Sequence, residues 1–342
     1  MPPNSALTRF IKQGLKRGVC PLCRVAYKMD GEYMWAFFED YSSDDKTLDR
    51  LREARGFCAE HAERLRRLEV EGLHSDLGIS NVYLDTLQGL EEALDSLDPS
   101  ENQVSRPAAA KPRPSTLTPS NSDVYVALRQ PGCPLCRTHA GSERRNVATF
   151  LREGKAVPAS RTNFIEAGGF CPRHAWQLHA AASEVLTGAG IADLYGQLAD
   201  RDLALLEQLS ASEPGKAGRR ELESGLRRSA PCPMCLSMET TRRHHAAFLA
   251  ELLDDEVGRA TYERSDGVCF QHLREAVEAS LRRDRDGNQA RWLIEDWRQR
   301  LAQLRTELRE YDRKRSYTAA SERKGDEQRS WTTVIERYAG TM

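Results

Sequence analysis

The sequence is short of the features that usually announce a function. No Gly-rich phosphate loop or Ser/His/Asp motif stands out, and no βαβ pattern surrounds its Cys-x2-Cys pairs, so nucleotide-cradling, triad-hydrolase and thioredoxin-like readings find no support. No run of about 18 consecutive apolar residues is present, hence no membrane-spanning helix is predicted. Neither sign of charge is in excess: 50 Lys and Arg stand against 51 Asp and Glu. No global field therefore argues for nucleic acid or a membrane surface. Met1–Gly18 has basic residues but neither an apolar h-region nor a small-residue cleavage site. With no signal of that kind, cysteines are expected to be reduced, in a cytoplasmic protein.

There is also no spare cysteine. All nine fall in one pattern written three times: Cys20-Pro-Leu-Cys23 with Cys58 and His61, Cys133-Pro-Leu-Cys136 with Cys171 and His174, and Cys232-Pro-Met-Cys235 with Cys269 and His272. From the second cysteine to the third, the gap is 34, 34 and 33 residues. Three thiolates and one imidazole at repeated spacing form a Cys3His metal-ligand pattern. Nine suits three sets of three and does not suit pairwise disulfides. The expected cofactors are three zinc ions, because zinc prefers closed tetrahedral Cys3His sets. Three iron–sulfur clusters are the alternative, disfavoured because the C-x2-C-x2-C run of bacterial ferredoxins is missing.

Periodicity predicts an all-α chain of three tandem modules, each with a Cys3His site joining two helix starts. Leu7, Phe10, Ile11 and Leu15 mark a lead-in helix over 4–17. Ala26, Met29, Tyr33, Phe37 and Tyr41 mark an outgoing helix over 24–41. Leu48, Leu51 and Ala54 mark a shorter return ending at Gly56, a natural left-handed cap. A final helix covers about 80–97. In this reading the 34-residue gap is an antiparallel hairpin that brings the two half-motifs of one copy together. The modules are expected at 4–98, 123–210 and 219–315, with linkers at 99–122 and 211–218 and a polar tail at 316–342. The first linker is rich in Pro, Ser and Ala with no apolar period.

The motifs carry a resemblance. Cys-Pro-(Leu/Met)-Cys, then Gly-Phe-Cys-x2-His-Ala, then Gly-Ile-x3-Tyr at 78–83 and 190–195, resemble an uncharacterised bacterial family usually given as a domain of unknown function. The third copy departs from it, with Val268 for the aromatic and Leu273 for the alanine. The resemblance implies a helical, cysteine-rich protein and supplies neither an activity nor a cofactor.

Other candidates read as structural. His139 follows Cys136 by three residues in one copy only and reads as a surface residue or as one standing behind the ligands. His244 and His245 are adjacent on a helix and cannot share a face. The aromatic stripe Tyr33, Phe37 and Tyr41, with Trp35 and Phe38, reads as core. The basic pairs Arg227-Arg228 and Arg242-Arg243, with Arg313-Lys314-Arg315, are interleaved with acids and read as solvated. Residues 71–105 hold eight acidic side chains and no Lys or Arg, a face that suits a basic partner as well as water. The function expected is a metal-binding interaction or assembly protein without catalysis, engaging another protein. The alternative is an electron-transfer or redox-sensing protein. A closed four-ligand set leaves no vacant position for metal-assisted chemistry.

Overall fold

The computed structural model describes residues 21–74, 77–95, 123–154, 156–184, 188–211, 224, 230–284, 286–319 and 321–341. The lead-in helix expected at 4–17, the linker at 99–122, most of the second linker and Arg227-Arg228 lie outside the described residues. Among the described residues the structure is all-α, with fourteen helices and no strand. No helix among them is long and apolar enough to cross a membrane. The chain divides into two compact units, one of Met1–Pro112 with Gly267–Met342 and one of Arg113–Asp266.

In the first unit, helix α1 (Pro21–Ala36) runs into a π-helical turn at Phe37–Tyr41. Then follow α2 (Asp45–Ala54), α3 (Ala59–Arg67) and α4 (Leu77–Asp95). Helix α2 starts where the Asp44 carboxylate accepts from the Thr47 backbone N–H at 2.9 Å, the usual remedy for an unpaired first-turn donor. It ends at Arg55 and Gly56, both left-handed. A Cβ at Gly56 would stand 2.8 Å from Tyr83 Cε1, so this turn requires glycine. Buried Glu69 caps α4, its carboxylate accepting from the N–H groups of Gly78 and Ile79. Bidentate Arg52–Asp85 bonds of 2.7 and 2.5 Å tie α2 to α4.

The same unit is completed by α12 (Phe270–Arg283), α13 (Asn288–Arg315) and α14 (Ser330–Ala339). Helix α13 packs on α12, α4 and α14, and α14 also touches α3. The sequence around α14 shows only a weak apolar patch, yet Val334, Ile335 and Tyr338 are buried. The Tyr338 ring lies 5.7 Å from Tyr83 and 6.2 Å from both Phe270 and Trp297. The expected polar tail thus contains a helix of the core, because its apolar residues at 331, 334, 335 and 338 share one face.

The second unit holds α5 (Asp123–Ala127), α6 (Pro134–Thr149) with a π turn at Phe150–Gly154, and α7 (Pro158–Glu166). It continues with α8 (Pro172–Glu184), α9 (Gly188–Ser210), α10 (Pro233–Leu252) and α11 (Glu256–Arg264). Phe150, Phe164, Phe170 and Tyr195 meet edge-on or tilted at 4.8–6.2 Å, a favoured aromatic geometry. Val147, Leu178 and Leu194 surround them, and Cys232 and Met234 from the start of α10 belong to the same core.

Helices α6 and α10 lie against each other, antiparallel. His139 stacks on His245 at 5.2 Å, and the Asn146 side-chain amide reaches Met238 Sδ at 3.3 Å. His139 and Met238 each lie six residues after the first cysteine of their copy; Asn146 and His245 each lie thirteen after. Position six therefore meets position thirteen in both directions, a local two-fold relation between two motif copies.

Candidate metal centre

Antiparallel packing sends the cysteine-bearing start of α10 to the far end of α6. There the chain has already turned through Gly168 and Gly169, both at positive φ, and begins α8 at Pro172. Cys171 stands just before α8, its carbonyl accepting from the Ala175 N–H at 2.9 Å, and His174 follows in the first turn. Cys232 is the N-cap of α10, with Pro233 at the first helical position, where a missing N–H costs nothing. Cys235 is one turn further on. Two helix N-termini thus converge, and their exposed N–H groups favour thiolate over thiol.

The four ligand atoms lie within 4.8 Å of one another. His174 Nδ1 is 3.2 Å from Cys171 Sγ, 3.5 Å from Cys235 Sγ and 3.6 Å from Cys232 Sγ. Cys171 and Cys235 Sγ are 3.8 Å apart. On the other side of the ring, Nε2 is 2.9 Å from the Glu143 carboxylate, which also accepts from Arg173 at 2.7 Å. A carboxylate at Nε2 holds the proton there and leaves the Nδ1 lone pair facing the sulfurs, the arrangement of a metal-ligating histidine. His174 and Cys232 are buried, Cys171 half-buried and Cys235 exposed, so one edge of the cluster is open to water.

Burial pushes the His174 imidazole down, against the Glu143 charge that raises it, so the neutral, ligating form is favoured. Burial, reinforced by the neighbouring Cys171 and Cys232, pushes the Cys235 thiol up to about 12. Burial also acts upward on Cys171, but the His174 backbone N–H and the two other thiols outweigh it and leave Cys171 below the usual thiol range. Cys171 thus gives up its proton readily, while deprotonation of Cys235 is opposed. A divalent cation reverses that opposition, since bound thiols are deprotonated outright.

The cluster joins half-motifs of different copies: Cys171 and His174 belong to the second, Cys232 and Cys235 to the third. The expected partner of Cys171 and His174 was Cys133 and Cys136 of the same copy. Helix lengths explain the difference. Helix α6 with its π turn covers 134–154, about 31 Å at 1.5 Å per residue, whereas the nine residues of α7 span about 13 Å. The return is too short to reach the start of α6.

The remaining ligand candidates sit in the same local settings. Cys133 is the N-cap of α6, where its sulfur accepts from the Cys136 N–H at 3.5 Å. Cys269 is the N-cap of α12, with its sulfur 3.2 Å from His272 Nδ1, and His272 Nε2 is 3.9 Å from Glu275. Cys58 is the N-cap of α3, its sulfur likewise 3.2 Å from His61 Nδ1. Cys20 and the side chain of Cys23 lie outside the described residues. His139 is buried against His245 rather than on the surface. Glu143 escaped the sequence reading, although an acid ten residues after the first cysteine recurs as Asp30 in the first copy; the third has Arg242 there.

Fold and cluster together define a helical protein whose cysteines and histidines gather at helix starts in a set able to hold a metal. The chain belongs to the Family of unknown function (DUF6062), whose profile matches residues 13–212. That span contains the first two motif copies and ends before the third. No curated protein and no solved structure matches the chain.

Proposed function

We propose that this chain is a zinc-clipped helical assembly protein, in which metal ions lock separate stretches of chain together and the helix faces engage another protein. The spacing of the Cys171, His174, Cys232 and Cys235 ligand atoms carries the reading. A zinc ion with Zn–S near 2.3 Å and Zn–N near 2.0–2.1 Å has tetrahedral edges of about 3.8 Å between sulfurs and about 3.5 Å from sulfur to nitrogen. The cluster has 3.8 Å for the one and 3.2–3.6 Å for the other. The four ligands of an iron–sulfur cluster are divided between at least two irons, so they cannot all stand as close together as four ligands sharing one ion, and the alternative is disfavoured. Four protein ligands fill the tetrahedron, which speaks for structure and against catalysis.

By count, the nine cysteines and three histidines of the three motif copies make three Cys3His sets, of which this cluster is one. Binding at a structural zinc is of order 10–16 kcal/mol at neutral pH, comparable to the whole stability of a domain, about 5–15 kcal/mol. A clip between distant stretches of chain can therefore decide whether they stay together. The test is elemental analysis and absorbance of protein purified without oxygen. Three zinc ions per chain in a colourless solution is the expected result. Iron with acid-labile sulfide and a broad band near roughly 400 nm would replace this reading with the electron-transfer one.

A further inference from the structure

The sulfur at the open edge of the cluster does not stand alone. Among the described cysteines Cys58 and Cys235 are exposed. Cys235 is the one that the structure sets against a second described thiol, with Cys171 Sγ at 3.8 Å. Cys171 is half-buried, while Cys232 is 4% exposed and belongs to the apolar core with Phe170 and Leu178. A small polar oxidant therefore meets Cys235 first, Cys171 next and Cys232 last. Accessible thiolates are the ones that oxidise, and a neighbouring thiol captures the first product as a disulfide.

Cys171 immediately precedes α8, Cys235 lies in the first turn of α10, and 64 residues of sequence separate them. A bond requires their sulfurs to close from 3.8 Å to about 2.05 Å. Side-chain rotation covers that distance once an ion no longer holds them. A bond between Cys232 and Cys235 would instead lie within one turn of α10. It would use a sulfur packed in the core and leave Cys171 outside it.

Resting on the zinc reading above, we propose that Cys235 is a site of oxidative modification, where a peroxide exchanges the zinc clip for a disulfide between Cys171 and Cys235. The Cys235 thiolate attacks hydrogen peroxide and the O–O bond breaks. One oxygen stays on the sulfur as a sulfenic acid, and the other leaves as hydroxide that takes a proton. The Cys171 thiolate then attacks the Cys235 sulfur. The S–S bond forms, the S–O bond breaks, and a second hydroxide takes a proton. Two thiolates lose two electrons in all, and peroxide is reduced to two waters. The zinc ion, left with Cys232 and His174 alone, is released. Cys232 then packs as a small apolar side chain, and His174 keeps its bond to Glu143. The second and third copies stay joined, now covalently, across a long loop of the kind whose closure most restrains the unfolded chain. A dithiol reductant with zinc reverses the exchange.

The test treats the zinc-loaded full chain with excess hydrogen peroxide beside a chromophoric chelator, blocks the remaining thiols and digests with trypsin. Cys171 falls in peptide 162–173, and Cys232 and Cys235 fall together in peptide 229–242. The two peptides should appear joined, with fragmentation placing the bond at Cys235, in step with loss of one zinc ion per chain. Cys235→Ser should form the joined pair about tenfold more slowly or worse, because buried Cys232 is the thiol left on that peptide. The oxidised, zinc-free chain should also keep its helical circular dichroism at urea concentrations where the reduced, chelator-stripped chain loses it. Zinc retained through excess peroxide, a bond inside peptide 229–242, a sulfinic acid on Cys235 with Cys171 still reduced, or equal urea midpoints would overturn the proposal while leaving the zinc reading standing. Wild type holding less than one zinc ion per chain before oxidation would remove the zinc reading, and this proposal with it.

Discussion

Glu143 offers the sharpest test of how the cluster is built. It binds no metal in the account above; it holds His174 in the tautomer that presents Nδ1 to the sulfurs. Outer-shell partners of this kind are worth 10–100-fold in metal affinity, about 1.4–2.7 kcal/mol. His174 is 5% exposed and Glu143 11% in their side chains, so solvent screening is slight and the effect should lie well inside that range. The Arg173–Glu143 ion pair is a separate matter. Arg173 is 63% exposed, and such pairs contribute about 0–1 kcal/mol. Glu143→Gln keeps an acceptor oxygen and loses the charge, so it should weaken zinc binding toward the lower end. Glu143→Ala should approach the upper end, and Arg173→Ala should change little. Competition against a chromophoric chelator reads all three. Zinc affinity of Glu143→Ala within twofold of wild type would refute the assigned role, and an Arg173→Ala loss as large as that of Glu143→Ala would move it to the ion pair.

Two further outcomes follow from the same geometry. Gly169 has φ +77°, and a Cβ there would stand 3.0 Å from Leu198 Cδ2; Gly169→Ala should cost about 1–2 kcal/mol from the left-handed backbone alone, read by urea unfolding of the zinc-loaded chain, and no measurable loss would contradict it. The N–H of Gly325, outweighing burial and aided by Gln328 and Lys314, holds the Glu327 carboxyl at about 2 against an ordinary 4.5. A depressed folded-state value stabilises above the unfolded value and loses that contribution as pH falls toward 2. Glu327→Gln should therefore be less stable than wild type at neutral pH, with the difference shrinking below about pH 4.5; a difference constant across that window would contradict the shift.

Much of this was legible from residues alone, for physical reasons. Ligand chemistry restricts residue type and local spacing, so Cys-x2-Cys and Cys-x2-His announce themselves wherever helix starts present them. Leu194 and Leu198 in α9, and Trp297, Leu301, Leu304 and Leu308 in α13, recur at helical intervals because one face of each helix is buried, which makes the all-α class readable. Which half-motif meets which was not readable. That depends on whether the stretch after the π turn at Phe150–Gly154 returns along α6, and nine residues at Pro158–Glu166 do not. Glu143 was obscured because an acid in mid-helix is ordinary until a buried histidine is placed beside it. Helix α14 was obscured because its four apolar residues gain meaning only against Tyr83, Phe270 and Trp297, which come from distant parts of the chain.

The central claim is that Cys171 of the second copy and Cys232 of the third share one metal ion. Zinc content of Cys171→Ser, Cys232→Ser and the double variant tests it directly, in soluble folded protein. If the two cysteines share an ion, each single change removes one zinc per chain and the double change removes no more. If each copy closes on itself, the singles remove one apiece and the double variant removes two, and the clip between copies does not exist.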